Sequence, residues 1–312
     1  MSYNMTTLRF PSSDGKNSVY AEIYEPAYGE IRGILQLSHG MTDYVGRYEA
    51  LAAYLTDAGF VFAGNCHLGH GRTASTPEDF GFFADKGGVD FLIDDLHLMN
   101  IQLKKKYPNV PIVIMGHSMG SFLSRLYVKK YPTDVVGHII HGTGGPMPVI
   151  LPMGKALARL VALLKGKRHR SKFIASMAFL GYNSKFDKSE GRHAWLTRDG
   201  ELIAGRDEDS YSNFIFTVSA YLDLFTMVGK SNSGEWFKSY PKDLKTLIMS
   251  GDMDPVGNYG KGPKYVYKHL LLAGSVATDI KLYEGARHEL FNEICREEAF
   301  SDILKFLELA VK

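Results

Sequence analysis

The sequence predicts an α/β fold, a mostly parallel sheet wound with helices and interrupted by one helical insertion. Three observations lead there. Short apolar runs are each followed by an amphipathic helical pattern, the signature of strand–helix units in a parallel sheet. One run, VPIVIMG at 110–116, is apolar at nearly every position, as a strand buried on both faces would be. Between Pro146 and Phe237 the rhythm lapses for roughly ninety residues, too long for a structureless loop in a compact domain.

The elements follow in chain order. LRFPSSDGKNSVYAEIYEP alternates apolar and polar residues and turns at Asp14-Gly15, which predicts an antiparallel hairpin on the first edge of the sheet. GILQLSHG (33–40) reads as a strand, and Tyr48, Leu51, Ala52 and Leu55 then fall on one helix face that Gly59 can close. GFVFAGN (59–65) is the next strand, followed after a polar loop by a helix with Leu92, Leu96, Met99 and Leu103 on one side, ending before Pro108. The central strand 110–116 leads into a helix face of Met119, Phe122, Leu123, Leu126 and Tyr127 that stops before Pro132. Further strands are expected at 135–141, 244–251 and 277–285, and a last helix carries Phe300, Ile303, Leu304, Leu307 and Val311. In the insertion, MGKALARLVALLKG and YSNFIFTVSAYLDLFTMVG read as helices.

Composition narrows the function classes. The chain has 312 residues, 45% hydrophobic and 22% charged, enough for a large core plus a subdomain and unlike a disordered chain. Its 36 basic residues stand against 34 acidic ones, too balanced for a nucleic-acid binder held by charge, so a small neutral or apolar ligand is expected. Two cysteines, Cys66 and Cys295, provide no disulfide framework and no Cys/His metal spacing, so neither metal nor cofactor is expected. MSYNMTTLRFPSSDG has no charged-then-apolar leader pattern, and no run of about 18 apolar residues spans a bilayer, so a cytoplasmic protein without stable membrane insertion is expected.

Gly116-His117-Ser118-Met119-Gly120 lies where the buried strand meets the amphipathic helix, the context required of a nucleophile elbow. Gly-x-Ser-x-Gly alone is a weak signal in a chain with 32 glycines; the strand and helix around it make it specific. A serine hydroxyl needs a base to take its proton, usually a histidine held in one tautomer by a carboxylate. The elbow predicts the chain order serine, acid, histidine. His288, in GARHE after the last strand, is the base expected, whereas His138 and His141 fall within a strand and His169 in a basic run. The acid is Asp252 or Asp254, both after the strand LKTLIMS; whichever is not the acid would cap the following turn. The oxyanion of a tetrahedral intermediate would meet the N–H of Met119 and, from the loop His39-Gly40-Met41, the N–H of Met41. His39 itself is expected to support that loop.

Taken together, LSHGMTDYVGRYEALAAYLTDAGF, HLGHGRT, GHSMGS, SGDMDPVG and GARHELFNE resemble the monoacylglycerol lipase and lysophospholipase branch of the α/β-hydrolase superfamily, also grouped with serine aminopeptidases. The resemblance covers about 33–145 and 240–312. It implies an eight-stranded, mostly parallel sheet, with residues 1–145 and 238–312 as the core and 146–237 as a helical cap. It implies Ser118 as nucleophile, His288 as base and Asp254, three residues after Gly251, as acid, with Met41 and Met119 as oxyanion donors. Where the family usually reads Asp-His-x-Gly-His-Gly this chain has Cys66-His67-Leu68-Gly69-His70-Gly71, which removes one loop contact and leaves the triad intact. Cys66 itself reads as a small core residue.

The activity implied is cleavage of carboxylic esters of acyl chains through an acyl-enzyme, on monoacylglycerols or lysophospholipids, with short-chain or aryl esters next. An amidase or aminopeptidase on the same triad is the alternative, for which RDEDS (206–210) supplies acidic candidates to hold an amine; a non-catalytic binding protein would not require the whole constellation. Expected partners are a small acyl-ester substrate and no nucleic acid. The basic run 165–172 is expected to be a solvated loop in preference to a transient contact with a lipid surface.

Overall fold

The computed structural model describes residues 3–312, the side chain of Asp207 apart. β1 (Tyr3–Pro11) and β2 (Ser18–Pro26) form the expected hairpin, followed by β3 (Gly33–Ser38), α1 (Glu49–Asp57), β4 (Phe60–Asn65), α2 (Gly88–Lys106), β5 (Ile112–His117), α3 (Met119–Lys130) and β6 (Gly137–His141). Then come α4 (Ile150–Lys165), α5 (Lys172–Ala178), α6 (Gly200–Glu208), α7 (Val218–Ser231) and α8 (Gly234–Ser239). The chain closes with β7 (Lys245–Gly251), α9 (Lys261–Leu272), β8 (Thr278–Tyr283) and α10 (Arg296–Ala310). The eight strands form one sheet in the order β1-β2-β4-β3-β5-β6-β7-β8. β2 is antiparallel to β1 and β4, and the other pairs are parallel.

β5 shows why its sequence does not alternate. Ile112 and Ile114 pack on one face with Leu96 and Met99 of α2 and Leu123 and Tyr127 of α3, while Val113 and Met115 pack on the other with Leu51 and Leu55 of α1 and Ile303 and Leu307 of α10. A strand with side chains in two apolar layers has no polar face to show. Periodicity alone leaves out α9, because its approach GNYGKGPKY reads as a turn; Pro263 sits in its first turn, where a missing N–H breaks no helical bond.

The insertion is anchored by its C-terminal helices. Val218, Ala220 and Tyr221 of α7 are buried in the layer that holds α2 and α3, and the indole of Trp236 on α8 donates to the Arg125 carbonyl at 2.7 Å. Residue 237 therefore lies inside a helix seated on α3. The basic run is only partly solvated: Lys167 donates to Asp85 O, Arg170 to Glu78 O and Phe80 O, and Arg168 covers the Phe82 ring at 3.7 Å. Lys165 and Lys172 stay exposed. Among the described residues no helix is long and apolar enough to cross a membrane.

Close approach at one glycine sets the elbow. A Cβ on Gly120, in the first turn of α3, would lie 1.9 Å from the carbonyl oxygen of Ser38 at the end of β3. Gly120→Ala should therefore destabilise the fold by about 2 kcal/mol or more, read as a lower denaturation midpoint. An unchanged midpoint would mean that α3 does not approach β3 so closely.

The sheet also buries a set of histidines. Burial lowers the pKa of His39, His67, His70, His117, His138 and His141, to about 3 for His70, His138 and His141. Below the ordinary imidazole pKa of about 6.5 the unfolded chain takes up protons that the folded chain refuses. Stability present above that pH thus drains away as the pH falls toward 3, by about 1.4 kcal/mol per pH unit for each of His70, His138 and His141. His138 is bonded by Ser124 Oγ and Tyr240 Oη. His138→Gln should flatten the stability slope between pH 6 and 4 by about one proton; a slope equal to wild type would mean His138 protonates in the folded state.

Candidate active site

Ser118 occupies the turn between β5 and α3 with φ 53° and ψ −119°, a conformation that few residues other than glycine adopt. Such a backbone costs about 1–3 kcal/mol and persists only where its surroundings fix it. Here the Ser118 N–H donates to His141 O at 3.0 Å, and the Ser118 carbonyl accepts from the Ser121 N–H (2.9 Å) and Ser121 Oγ (2.6 Å). A side chain on Gly116 would meet Gly120 O at 2.3 Å. Ser118 is half-buried while its neighbours on both sides are buried.

Asp254 follows β7 and His288 follows β8, both fully enclosed. His288 Nδ1 lies 2.9 Å from Asp254 Oδ2, and the other carboxylate oxygen of Asp254 accepts from the Val256 N–H at 2.8 Å. Because Nδ1 donates to the carboxylate, His288 Nε2 carries the lone pair; it is buried with no hydrogen-bond partner among the described residues, Ser118 Oγ included. Asp252 is turned elsewhere and accepts from the Gly285 N–H at 2.8 Å, a turn support. Of the two aspartates left open by spacing, Asp254 is the one beside His288. The ring of His117, next to Ser118, stands 4.8 Å from that of His288, and Trp195 of the insertion covers His288 at 5.0 Å between ring centroids.

The loop after β3 reaches the same place. A methyl group on Gly40 would sit 3.3 Å from Ser118 Cβ. Gly40 N–H donates to Asp43 Oδ2 and Thr42 N–H to His70 Nε2, each at 3.3 Å, which leaves Met41 N–H as the amide of residues 40–42 with no acceptor among the described residues. The Met119 N–H heads α3, where no helical acceptor exists. His39 has the support role expected of it: its Nδ1 donates to Gly40 O at 2.8 Å and its Nε2 accepts the His67 N–H at 2.9 Å.

Cys66 is buried against Gly71, and burial pushes its thiol up to about 12, so it is not a thiolate at neutral pH. The turn is tied instead by Thr73, whose Oγ1 donates to Cys66 O at 2.7 Å and accepts the Tyr20 N–H at 2.9 Å.

A chain of buried charges that spacing does not reveal borders the site. Arg47 pairs with Asp43 at 3.0 Å and with both oxygens of Glu289 at 3.1 and 2.8 Å, and Arg206 from α6 adds a second cation at 3.4 Å from Glu289. Burial alone would raise the Glu289 carboxyl, but Arg47 and Arg206 hold it well below the usual carboxylate range. Asp43 is lowered in the same way, burial opposing and the Arg47 guanidinium prevailing. The neighbouring acid Glu293 accepts from Arg198 Nε at 2.8 Å and from the Arg287 N–H at 2.9 Å. The sequence signal for this chain is only that Glu289 and Glu293 both follow His288 in RHELFNE.

With this geometry in view, the chain matches the family model described as "Serine aminopeptidase, S33" over residues 29–294. It is 31% identical to the monoglyceride lipase of Mus musculus over 290 residues, covering 91% of this chain and 83% of that protein. A thermostable carboxyl esterase from Bacillus coagulans superposes with a TM-score of 0.91 at 29% identity, covering 99% of both chains. A soluble variant of the Saccharomyces cerevisiae monoglyceride lipase, solved with a substrate analog, shares the fold with a TM-score of 0.78 at 20% identity over 100% of this chain and 97% of that one. The chain therefore belongs to the serine aminopeptidase S33 family of α/β-hydrolases, in the branch that includes the monoglyceride lipases.

Proposed function

We propose that this carboxylic ester hydrolase cleaves esters of acyl chains, of the monoacylglycerol or lysophospholipid class, through an acyl-enzyme on Ser118. The observation that carries the reading is the Asp254–His288 pair at 2.9 Å, with a free Nε2 lone pair, next to a serine held at positive φ. Ser118 Oγ attacks the ester carbonyl carbon as its proton passes to His288 Nε2, and Asp254 stabilises the imidazolium. Charge on the carbonyl oxygen is met by the N–H groups of Met41 and Met119. The bond to the alcohol oxygen then breaks and His288 returns the proton to the departing alcohol; a water deprotonated by His288 attacks the acyl carbon, the bond to Ser118 Oγ breaks, and His288 passes that proton to Oγ as the acid leaves.

Residues 146–237 act as the cap in this reading. α4 is apolar on two sides: Leu151, Leu157, Ala158 and Val161 face inward, while Ile150, Met153, Leu160 and Leu164 are exposed, continued by Phe173, Met177 and Leu180 from α5 onward. No acidic residue occurs from 135 to 186. An exposed apolar stripe with basic residues and no acids favours an amphiphilic substrate over a polar one. A separate cleft of about 440 Å³ lies between α4 and α7 on the inward side of α4, with Leu151, Val228, Lys155 and Arg159 in its wall. The amidase alternative is left with one exposed carboxylate of the stretch, Glu208: Asp209 is engaged by the Tyr211 N–H and Ser212 Oγ at 2.9 Å each, Arg206 points to the core, and the Asp207 side chain lies outside the described residues.

Hydrolysis of nitrophenyl esters of graded chain length, monoacylglycerols, lysophospholipids and aminoacyl amides tests both parts. Ser118→Ala should lower kcat by about 10⁴-fold or more, and Asp254→Asn by roughly 10³–10⁴-fold. Asp252→Asn should stay within about tenfold of wild type. Equal product release by wild type and Ser118→Ala would remove the nucleophile, a larger loss in Asp252→Asn would move the acid, and faster turnover of aminoacyl amides than of esters would favour the amidase.

A further inference from the structure

We propose that Arg206 is a positioning residue: from the cap helix α6, its one guanidinium sets the loop that presents the Met41 N–H and fastens that loop to the one carrying His288. The inference rests on the oxyanion role proposed for Met41. Arg206 Nη2 donates to both the carbonyl oxygen and the Oγ1 of Thr42, at 3.0 Å each, and Nη1 stands 3.4 Å from Glu289 Oε1. Thr42 directly follows Met41 and Glu289 directly follows His288. The side chain of Arg206 is almost wholly enclosed, and its charge is matched by a carboxylate that Arg47 and Asn292 also hold.

Thr42 needs such a grip. Its φ is +50°, which a β-branched side chain resists strongly, because Cβ and its branches crowd the backbone there. Relaxing that residue toward negative φ would swing the chain immediately after Met41 and re-aim the free amide. Four contacts oppose the swing. Gly40 N–H is tied to Asp43, Thr42 N–H to His70, and the Thr42 carbonyl and hydroxyl to Arg206. The first two come from the core, whereas the last two come from α6. The oxyanion loop thus keeps its geometry only while the cap is seated. A misaimed donor loses the interaction made in the transition state and leaves substrate binding largely intact.

The test is a cycle of Arg206→Gln, Arg206→Lys and Thr42→Gly, with kcat and KM measured on a soluble short-chain nitrophenyl ester and thermal unfolding followed in parallel. Arg206→Gln should lower kcat by about tenfold or more with KM within about threefold, at temperatures where the variant is fully folded. Arg206→Lys, with charge but no fork, should recover only part of kcat. Glycine adopts positive φ without strain, so in the Thr42→Gly background Arg206→Gln should cost less than about threefold in kcat. If Arg206→Gln does not fold, the same comparison is made with Arg206→Lys. Unchanged kcat in the Arg206 variants, equal losses in both backgrounds, or a loss confined to KM or to unfolding temperature would overturn the proposal. Failure of the acyl-enzyme reading to which that oxyanion role belongs is separate, because it would appear as Ser118→Ala retaining wild-type turnover.

Discussion

The strained turn at Ser118 is the constraint on which the other features depend. A serine at φ 53° between a buried strand and a buried helix is tolerated only because Gly116 and Gly120 let α3 press against β3 and β5, and because Ser118 N–H has a fixed acceptor in His141 O. The turn puts a half-exposed hydroxyl above the carboxyl edge of a parallel sheet, where the loops after β3, β7 and β8 also end. Parallel strands deliver their loops to one edge, so residues 41, 118, 254 and 288, far apart in the chain, meet there.

What surrounds that meeting point is buried polar structure, much of it held by hydrogen bonds and ion pairs. The imidazoles of His39, His67 and His70 pack within 6.3 Å of one another, kept neutral by burial, and they act as hydrogen-bonding spacers for the loops after β3 and β4. Asp43, Arg47, Glu289 and Arg206 form a chain of alternating charge in which each carboxylate meets at least one guanidinium. A buried ion pair contributes little net stability but is costly to break from one side, so such a chain specifies geometry more than it stabilises the fold. Here the geometry specified is that of the loops next to Met41 and His288, and its last member is supplied by the insertion. The insertion is fastened to the His288 loop by backbone as well: Glu289 N–H donates to Leu196 O at 2.8 Å, and Thr197 Oγ1 to Asn292 O at 2.7 Å.

Most of the core was legible because its signals are local. An apolar run such as 110–116, a helix stripe such as Leu92-Leu96-Met99-Leu103, and a glycine-flanked serine between them are each complete within a few residues, and the strands and helices so marked are present. The choice of Asp254 over Asp252 needed either a family resemblance or coordinates, since both carboxylates suit a turn and only their rotation around the strand end separates them. α9 was hidden by a glycine- and proline-rich approach. The charge chain was illegible for another reason: Arg47 and Glu289 are 242 residues apart and Arg206 and Glu289 are 83 apart, and no spacing rule connects them. The insertion kept its secrets because an apolar helix looks the same whether it packs inward, outward or both ways, as α4 does.

The central claim is that Ser118 forms a covalent bond to the acyl group with His288 as its base. Treatment with a fluorophosphonate, whose phosphorus is attacked by an activated serine, followed by peptide mass mapping, tests it most directly. The account predicts one adduct per chain, on the peptide containing Ser118, formed at least about a hundredfold more slowly in His288→Gln. An adduct on another residue, or full esterase activity in protein that takes up no label, would contradict it.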